Sequence, residues 1–324
     1  MSYQPPFKIT SSILNLVSLI SEKIGELKTS YNIISPQLRK KNKIKTITGT
    51  LQIEGNTLTE EQVSAVLDGK RVLGTMRELS EVQGAIKTYE QLSQLDPLSL
   101  DDLLKAHGWL MGEILIHAGH FRTKGVGIHQ GEKIIHVAPP AHRVSGLMAD
   151  LFQWLEQSED HPLIVSSVFH YEFEFIHPFI DGNGRMGRLW QTLLLSNWKA
   201  IFKALPLESV VRDHQQEYYQ ALAQSDRNAD ATAFIVFMLE AILTTIDKNV
   251  PVNVPVNALV NIKGLKTPEA IVKLISANQN ITRNEMAEKT GKDVRTIGRA
   301  IKKLQQDNKL RRVGSDKSGY WELL

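Results

Sequence analysis

Cysteine is absent from the 324-residue chain. Its absence excludes disulfides, thiolate metal sites and a cysteine nucleophile, and it fits a reducing compartment. Long apolar runs are missing too, and none approaches the roughly 18 to 20 residues of a membrane span. Met1 to Thr10 lacks the basic stretch followed by an apolar one that marks a secretory signal. The expectation is a cytoplasmic protein with no membrane partner. Repeats are scarce; the exception is the imperfect tandem Val250-Pro251-Val252-Asn253-Val254-Pro255-Val256-Asn257. What remains is an ordinary globular balance, 42% hydrophobic and 23% charged, in a chain long enough for two domains. The net charge of +3 is unevenly spread. From Lys263 onward there are 14 Lys and Arg against 7 Asp and Glu, a net of +7 that leaves −4 for the rest. A small basic module on a mildly acidic body points to an anionic partner for the tail.

The apolar positions recur mostly at helical spacing. Ile13, Leu14, Val17, Leu19, Ile20, Ile24 and Leu27 predict a helix over 11–30. The basic run Arg39 to Lys45 leads into a short segment ending at Glu54-Gly55-Asn56, where Gly55 suits a helix C-cap. Thr59-Glu60-Glu61-Gln62 starts the next helix with a capping box, and Asp68-Gly69 stops it. Further helices are expected at 75–95, 99–117, 141–157, 162–175, 185–199, 212–225 and 230–248. Residues 126–137 break the pattern and read as a β-hairpin turning at Gln130-Gly131-Glu132-Lys133. Proline every fourth residue makes the tandem repeat an extended linker. The expected division is therefore 1–99, a helical N-terminal region; 100–249, a core; 250–264, the linker; and 265–324, the basic tail.

Chemistry concentrates in residues 177–188. Phe173, Phe175, Phe179, Leu189, Leu193 and Leu194 have the character of core anchors. Between them Asp181-Gly182-Asn183-Gly184-Arg185 is rich in residues that tolerate positive φ, and it opens onto an apolar helix. Successive N–H groups in such a turn cradle an anion, aided by the helix N-terminus. Arg185 and Arg188 lie one turn apart and can both reach that anion. Asp181 is a hard oxygen ligand suited to Mg²⁺ between phosphates. His177 precedes the turn as a candidate general base.

These residues match the motif of the Fic (Fido-fold) family, H-x-F-x-(D/E)-G-N-G-R-x-x-R, at every specified position. The resemblance implies an all-α fold, a helical Fic core with a β-hairpin flap, that transfers AMP from ATP to a hydroxyl side chain of a target protein. It implies that His177 deprotonates that hydroxyl and that Asp181 holds Mg²⁺ on the α- and β-phosphates. Gly182, Asn183 and Gly184 would form the anion hole. Arg185 and Arg188, with Met186 and Gly187 between them, would hold the β- and γ-phosphates. Gly119-His120-Phe121-Arg122 resembles the family's G-x-(F/Y)-R stretch. The hairpin resembles its flap, so that Ile134, Ile135, His136 and Val137 would dock the target. Tyr218 and Tyr219 stand where the family often sets a tyrosine pair near adenine.

Thr50-Leu51-Gln52-Ile53-Glu54-Gly55-Asn56 resembles the family's inhibitory motif, (S/T)-x-x-x-E-(G/N). Its place before the core implies the class with an N-terminal inhibitory helix in the same chain. Thr50 and Glu54 share a helix face. The implied mechanism pairs Glu54 with Arg188 and so withdraws the cation that the γ-phosphate needs.

The tail reads as a winged helix-turn-helix. Helices over 268–278 and from Thr282, a turn at Thr290-Gly291-Lys292 and a third helix over 294–307 precede a two-stranded wing, 310–313 and 320–323. Arg295, Thr296, Arg299, Lys302 and Lys303 would decorate its recognition helix, a surface for DNA or for a protein partner. Three readings follow: a self-inhibited protein adenylyltransferase; removal of AMP in the same site, with Glu54 orienting water; and a DNA-binding regulator whose Fic module senses nucleotide. The intact His177 argues against the third, since nucleotide sensing alone would not require that base. The sequence is compatible with a homodimer and does not specify one.

Overall fold

Helix starts follow side-chain oxygens. Thr59, Thr75 and Ser99, and in the tail Thr282 and Asp293, each accept a backbone N–H three residues on. Gln62, Glu78 and Glu285 complete the capping box at the three threonines. The structure is a computed structural model that describes residues 3–26, 36–130, 133–249, 265–277, 279, 281–307, 309–313 and 320–323. It divides into two units, 1–250 and 251–324. The expected linker, 250–264, the hairpin tip at Gly131 and Glu132, and the wing turn, 314–319, lie outside the described residues.

The first unit runs α1 (Ser11–Glu26), α2 (Pro36–Ile53), α3 (Glu60–Leu67), α4 (Met76–Glu90), α5 (Leu100–Met111), β1 (Gly127–Gln130), β2 (Lys133–Val137), α6 (Ala141–Gln157), α7 (Pro162–Ile176), α8 (Asn183–Trp198), α9 (Leu207–Asp213), α10 (Gln215–Asn228) and α11 (Thr232–Asn249). Its centre is the pair α7 and α8. Residues 163–174 of α7 are all buried, the mark of a core helix covered on every side. Around the pair stand α6, α11 and a short 3-10 helix, Ala200–Ala204, and α2 packs along α9. β1 and β2 pair antiparallel with a bulge at Ile128/His129, and Ile128 lies opposite His136. The second unit holds α12 (Thr267–Ala277), α13 (Arg283–Thr290), α14 (Val294–Gln306), β3 (Leu310–Val313) and β4 (Tyr320–Leu323). Ile271, Ile275, Ile297, Ile301 and Trp321 form its core. The Trp321 indole N–H donates to the Ile281 carbonyl at 3.0 Å, and Arg312 covers the ring. Among the described residues no helix is long and apolar enough to cross a membrane.

Five local expectations need correction. The basic run 39–45 lies inside α2, which starts at Pro36; Asn42, Thr46, Thr48 and Thr50 are buried, so its apolar period is faint. α5 ends at Met111, not near 117. α8 begins at Asn183, two residues early. The single helix expected over 212–225 is two, α9 and α10, broken at His214. Phe175, expected as an anchor, is 38% exposed.

Candidate active site

His177 ends α7 in the left-handed conformation, φ 51° and ψ 61°. A residue with a Cβ holds this geometry only where its surroundings impose it. Arg122 supplies much of that restraint. Its Nε donates to the His177 carbonyl at 2.7 Å, and its Nη2 to the carbonyls of Pro139 and Ile176 at 2.5 and 3.3 Å. Its backbone N–H donates to Pro178 at 2.9 Å. The imidazole Nδ1 of His177 lies 3.3 Å from the Glu174 carbonyl oxygen and 4.0 Å from its carboxylate. Both can only accept, so Nδ1 carries the proton and Nε2 presents the lone pair.

Two side chains fix the loop after His177. Asn183 Oδ1 accepts the Phe179 N–H at 2.8 Å while its Nδ2 donates to the Phe179 carbonyl at 2.9 Å. Phe179 is fully buried and stacks on His107, centroids 3.7 Å apart and planes 4° from parallel. The Gly119 N–H donates to His107 Nδ1 at 2.8 Å, so the ring proton sits on Nε2 and is donated to the Asp181 carbonyl at 3.0 Å. Burial pushes the His107 pKa down to about 4, which keeps this neutral tautomer near pH 7. Gly182 has φ 87°, and a Cβ there would also press on Met111. α8 then opens with Asn183, and its first ladder bond runs from the Met186 N–H to the Gly182 carbonyl. The N–H groups of Asn183, Gly184 and Arg185 therefore have no carbonyl of their own helix to bond and point out of its N-terminus, where an anion would meet them.

Both arginines of the loop are buried and engaged. Arg185 lies 3.3 Å from Glu81 through Nη1 and 3.0 Å from Asp181 Oδ1 through Nη2. Arg188 donates from Nη2 to Glu54 Oε1 at 2.6 Å and to the Thr50 carbonyl at 3.1 Å, and from Nε to Thr50 Oγ1 at 3.0 Å. Burial is the largest single influence and opposes the Arg188 charge, but the nearby groups together, Glu54 first and then Tyr218 and Glu174, raise the guanidinium pKa above its ordinary value. Glu54 reaches this place because α2 ends there. The Gly55 N–H bonds the Gln52 carbonyl and the Asn56 N–H the Leu51 carbonyl, both at 3.1 Å, with Gly55 at φ 89°. The missing side chain of Gly184 leaves the space that the Glu54 carboxylate fills.

The expected tyrosines part company. Tyr218 is 1% exposed, and its hydroxyl is 3.1 Å from His170 Nε2 inside the core. Tyr219 is half-buried on the same helix, and its hydroxyl pKa is raised, by burial first and then by the nearby Glu54 charge. Ile134, Ile135, His136 and Val137 form strand β2, which passes beside α10. Asp181 is a third exposed; its Oδ1 also accepts the Gly182 N–H at 2.6 Å, and its Oδ2 accepts Arg77 at 2.9 Å. His107, Arg77 and Glu81 belong to this cluster without a local pattern to mark them.

In the tail, Arg295, Arg299, Lys302 and Lys303 are exposed on α14. Thr296 differs: its hydroxyl donates to Asp293 at 2.8 Å as part of the helix cap.

Comparison with known proteins bears on the family and the fold. The sequence model of the Fic/DOC family matches residues 97–195, and a winged helix-turn-helix DNA-binding model matches 265–311. The protein adenylyltransferase Fic of Aedes aegypti is 28% identical over 221 residues, 64% of this chain and 42% of that protein. The protein adenylyltransferase fic-1 of Caenorhabditis briggsae is 32% identical over 185 residues, 53% of this chain and 34% of that one. The chain thus spans about two fifths or less of the length of these curated relatives. Fic-1 of C. elegans shares the fold at TM-score 0.60 and 23% identity, over 74% of this chain and 71% of that one. The crystal structure of a Fic family protein from Desulfovibrio desulfuricans G20 matches at TM-score 0.74 and 42% identity, over 99% of this chain and 98% of that one. An identity of that size across nearly the whole of both chains, with the loop at 177–188 intact, makes this chain a member of the Fic family.

Proposed function

We propose that the chain is a protein adenylyltransferase that moves AMP from ATP to a Tyr, Ser or Thr hydroxyl of a target protein and restrains itself through Glu54. The observation that carries this reading is the contact of Glu54 with Arg188 at the mouth of a loop holding a base and an anion-binding helix N-terminus. The adenylyltransferase names of the mosquito and nematode relatives support it.

The target hydroxyl oxygen attacks the α-phosphorus as the bond to the bridging oxygen of the β-phosphate breaks. The hydroxyl proton passes to His177 Nε2, and pyrophosphate departs. The N–H groups of Asn183, Gly184 and Arg185 bind the phosphate oxygens, and Arg188 clamps the γ-phosphate once Glu54 has moved. Positioning and charge neutralisation supply most of the catalysis in such transfers. Asp181 fits a Mg²⁺ seat, because this ion takes one or two protein carboxylates and completes its shell with phosphates and water. Bound there with the nucleotide, Mg²⁺ would neutralise charge on the α- and β-phosphates. Strand β2 offers a backbone edge along which a target segment can pair. Incubation with ATP labelled on the α-phosphate should mark a protein band, and ATP labelled on the γ-phosphate should not. Label arriving from the γ-position would make the chain a kinase instead.

For the tail we propose duplex DNA as the partner of α14, on the strength of its exposed Arg295, Arg299, Lys302 and Lys303. DNA binding by the full chain should weaken steeply with salt, and Arg299→Ala should weaken it further and flatten that dependence by about one phosphate contact. Binding that ignores salt would point to a protein partner.

A further inference from the structure

We propose that Arg77 stands in for the metal ion at Asp181 and thereby sets the Mg²⁺ requirement of nucleotide binding. The inference rests on the adenylyltransferase reading of the same site and adds to it a residue outside the loop.

The two oxygens of Asp181 have different surroundings. Oδ1 is held within the loop by the Gly182 N–H at 2.6 Å and by Arg185 Nη2 at 3.0 Å. Oδ2 accepts Arg77 Nη2 at 2.9 Å. A divalent ion at Oδ2 would sit against that guanidinium, and two cations there repel, so the two compete for one place. The exposure of Arg77 decides which kind of contact this is. Its side chain is 64% exposed, against 2% for Arg185 and Arg188. A buried arginine could leave only at a high desolvation cost, whereas an exposed one can swing into water and yield to the incoming ion.

Arg77 is also aimed. Its Nε lies 3.3 Å from Glu81 Oε1 one turn along α4. Glu81 is 7% exposed, accepts Asn56 Nδ2 at 2.9 Å and pairs with Arg185. Asn56 follows Glu54 by two residues, in the turn that delivers Glu54 to Arg188. The end of the inhibitory helix therefore supports both cation contacts: Glu54 on Arg188 directly, and Arg77 on Asp181 by way of Glu81.

The proposal has two consequences of opposite sign. Without Arg77, Mg²⁺ meets an Oδ2 with no cation competing for it, so ATP binding should saturate at lower Mg²⁺. In the absence of metal, the Asp181 carboxylate has lost one of its two cations and repels phosphates more, so binding of free ATP should weaken. The test measures equilibrium binding of labelled ATP to the full chain in the Glu54→Gly background, with Arg77 intact or changed to Ala or Gln. Mg²⁺ is titrated, and one arm contains EDTA. We expect the Mg²⁺ midpoint to fall about two- to fivefold in both Arg77 variants, the range an exposed ion pair commands, and metal-free ATP binding to drop. A midpoint that stays unchanged or rises, with ATP still bound and thermal unfolding normal, overturns the inference alone. Failure of every form to bind ATP at any Mg²⁺ concentration overturns the nucleotide reading and this inference with it.

Discussion

Replacing His177 with Ala is expected to abolish transfer of label from α-labelled ATP while leaving ATP binding largely intact. His177 supplies a lone pair on Nε2 because its Nδ1 proton is directed at Glu174. A positioned general base contributes about 10² to 10⁴ in rate, so the variant should fall to or below the limit of detection. Binding should survive because, on the proposed reading, the helix N–H groups and the arginines hold the phosphates and His177 only takes the proton. One rival explanation is structural. His177 sits at φ 51°, and Ala tolerates that conformation poorly. His177→Asn separates the two causes, since Asn adopts the left-handed region readily but offers no comparable base. Loss of transfer in both variants, with ATP bound, identifies a missing base. Transfer retained by Asn and lost by Ala would mean that the loop shape matters and the imidazole does not.

The parts of this site that sequence reasoning could reach are the local ones. Residues 177–188 lie in one turn and one helix start, so their chemistry and spacing are visible together. Thr59-Gln62 and Thr282-Glu285 carry their partners three residues away, and those helices begin where expected. The contacts that bring distant segments together carry no period. Arg77 meets Asp181 across 104 residues, and His107 meets it across 74. Neither has neighbours that single it out: His107 lies on the buried face of an ordinary amphipathic helix, and Arg77 looks like any exposed arginine. Arg122 could be picked out as part of a motif, but its role as a donor to the carbonyls that shape His177 depends on where Pro139 and Ile176 end up. α2 was obscure for a different reason. It buries threonines and Asn42 along with its isoleucines, so hydrophobicity alone shows little of its buried face. The Glu54–Arg188 contact spans 134 residues and could be expected only because a family pattern names both ends.

Glu54→Gly should raise labelling of the target, or of the chain itself, by about tenfold to a hundredfold. Glu54 Oε1 lies 2.6 Å from Arg188 Nη2; the Arg188 side chain is 2% exposed and that of Glu54 30%, so water screens the pair from the Glu54 side only. While it persists, Nε and Nη2 of the guanidinium are taken by Thr50 and Glu54, and the carboxylate occupies the space above Gly184 that a phosphate would enter. If the paired state is favoured by about 1.4 to 2.7 kcal/mol, roughly one molecule in ten to one in a hundred is competent at any moment, and removing the carboxylate releases that restraint. Arg188→Ala is the companion variant. It should stay inactive even with Glu54→Gly, because the clamp itself is gone. A steric account competes with the electrostatic one, since Leu51 and Ile53 pack the same helix end into the core. Glu54→Gln discriminates, because it keeps the bulk and the hydrogen-bonding oxygen but loses the charge. Activation by Gln supports the ion pair as the restraint. If Gln stays as silent as Glu while Gly activates, the electrostatic account is wrong, and the space above Gly184 becomes the inhibitory feature.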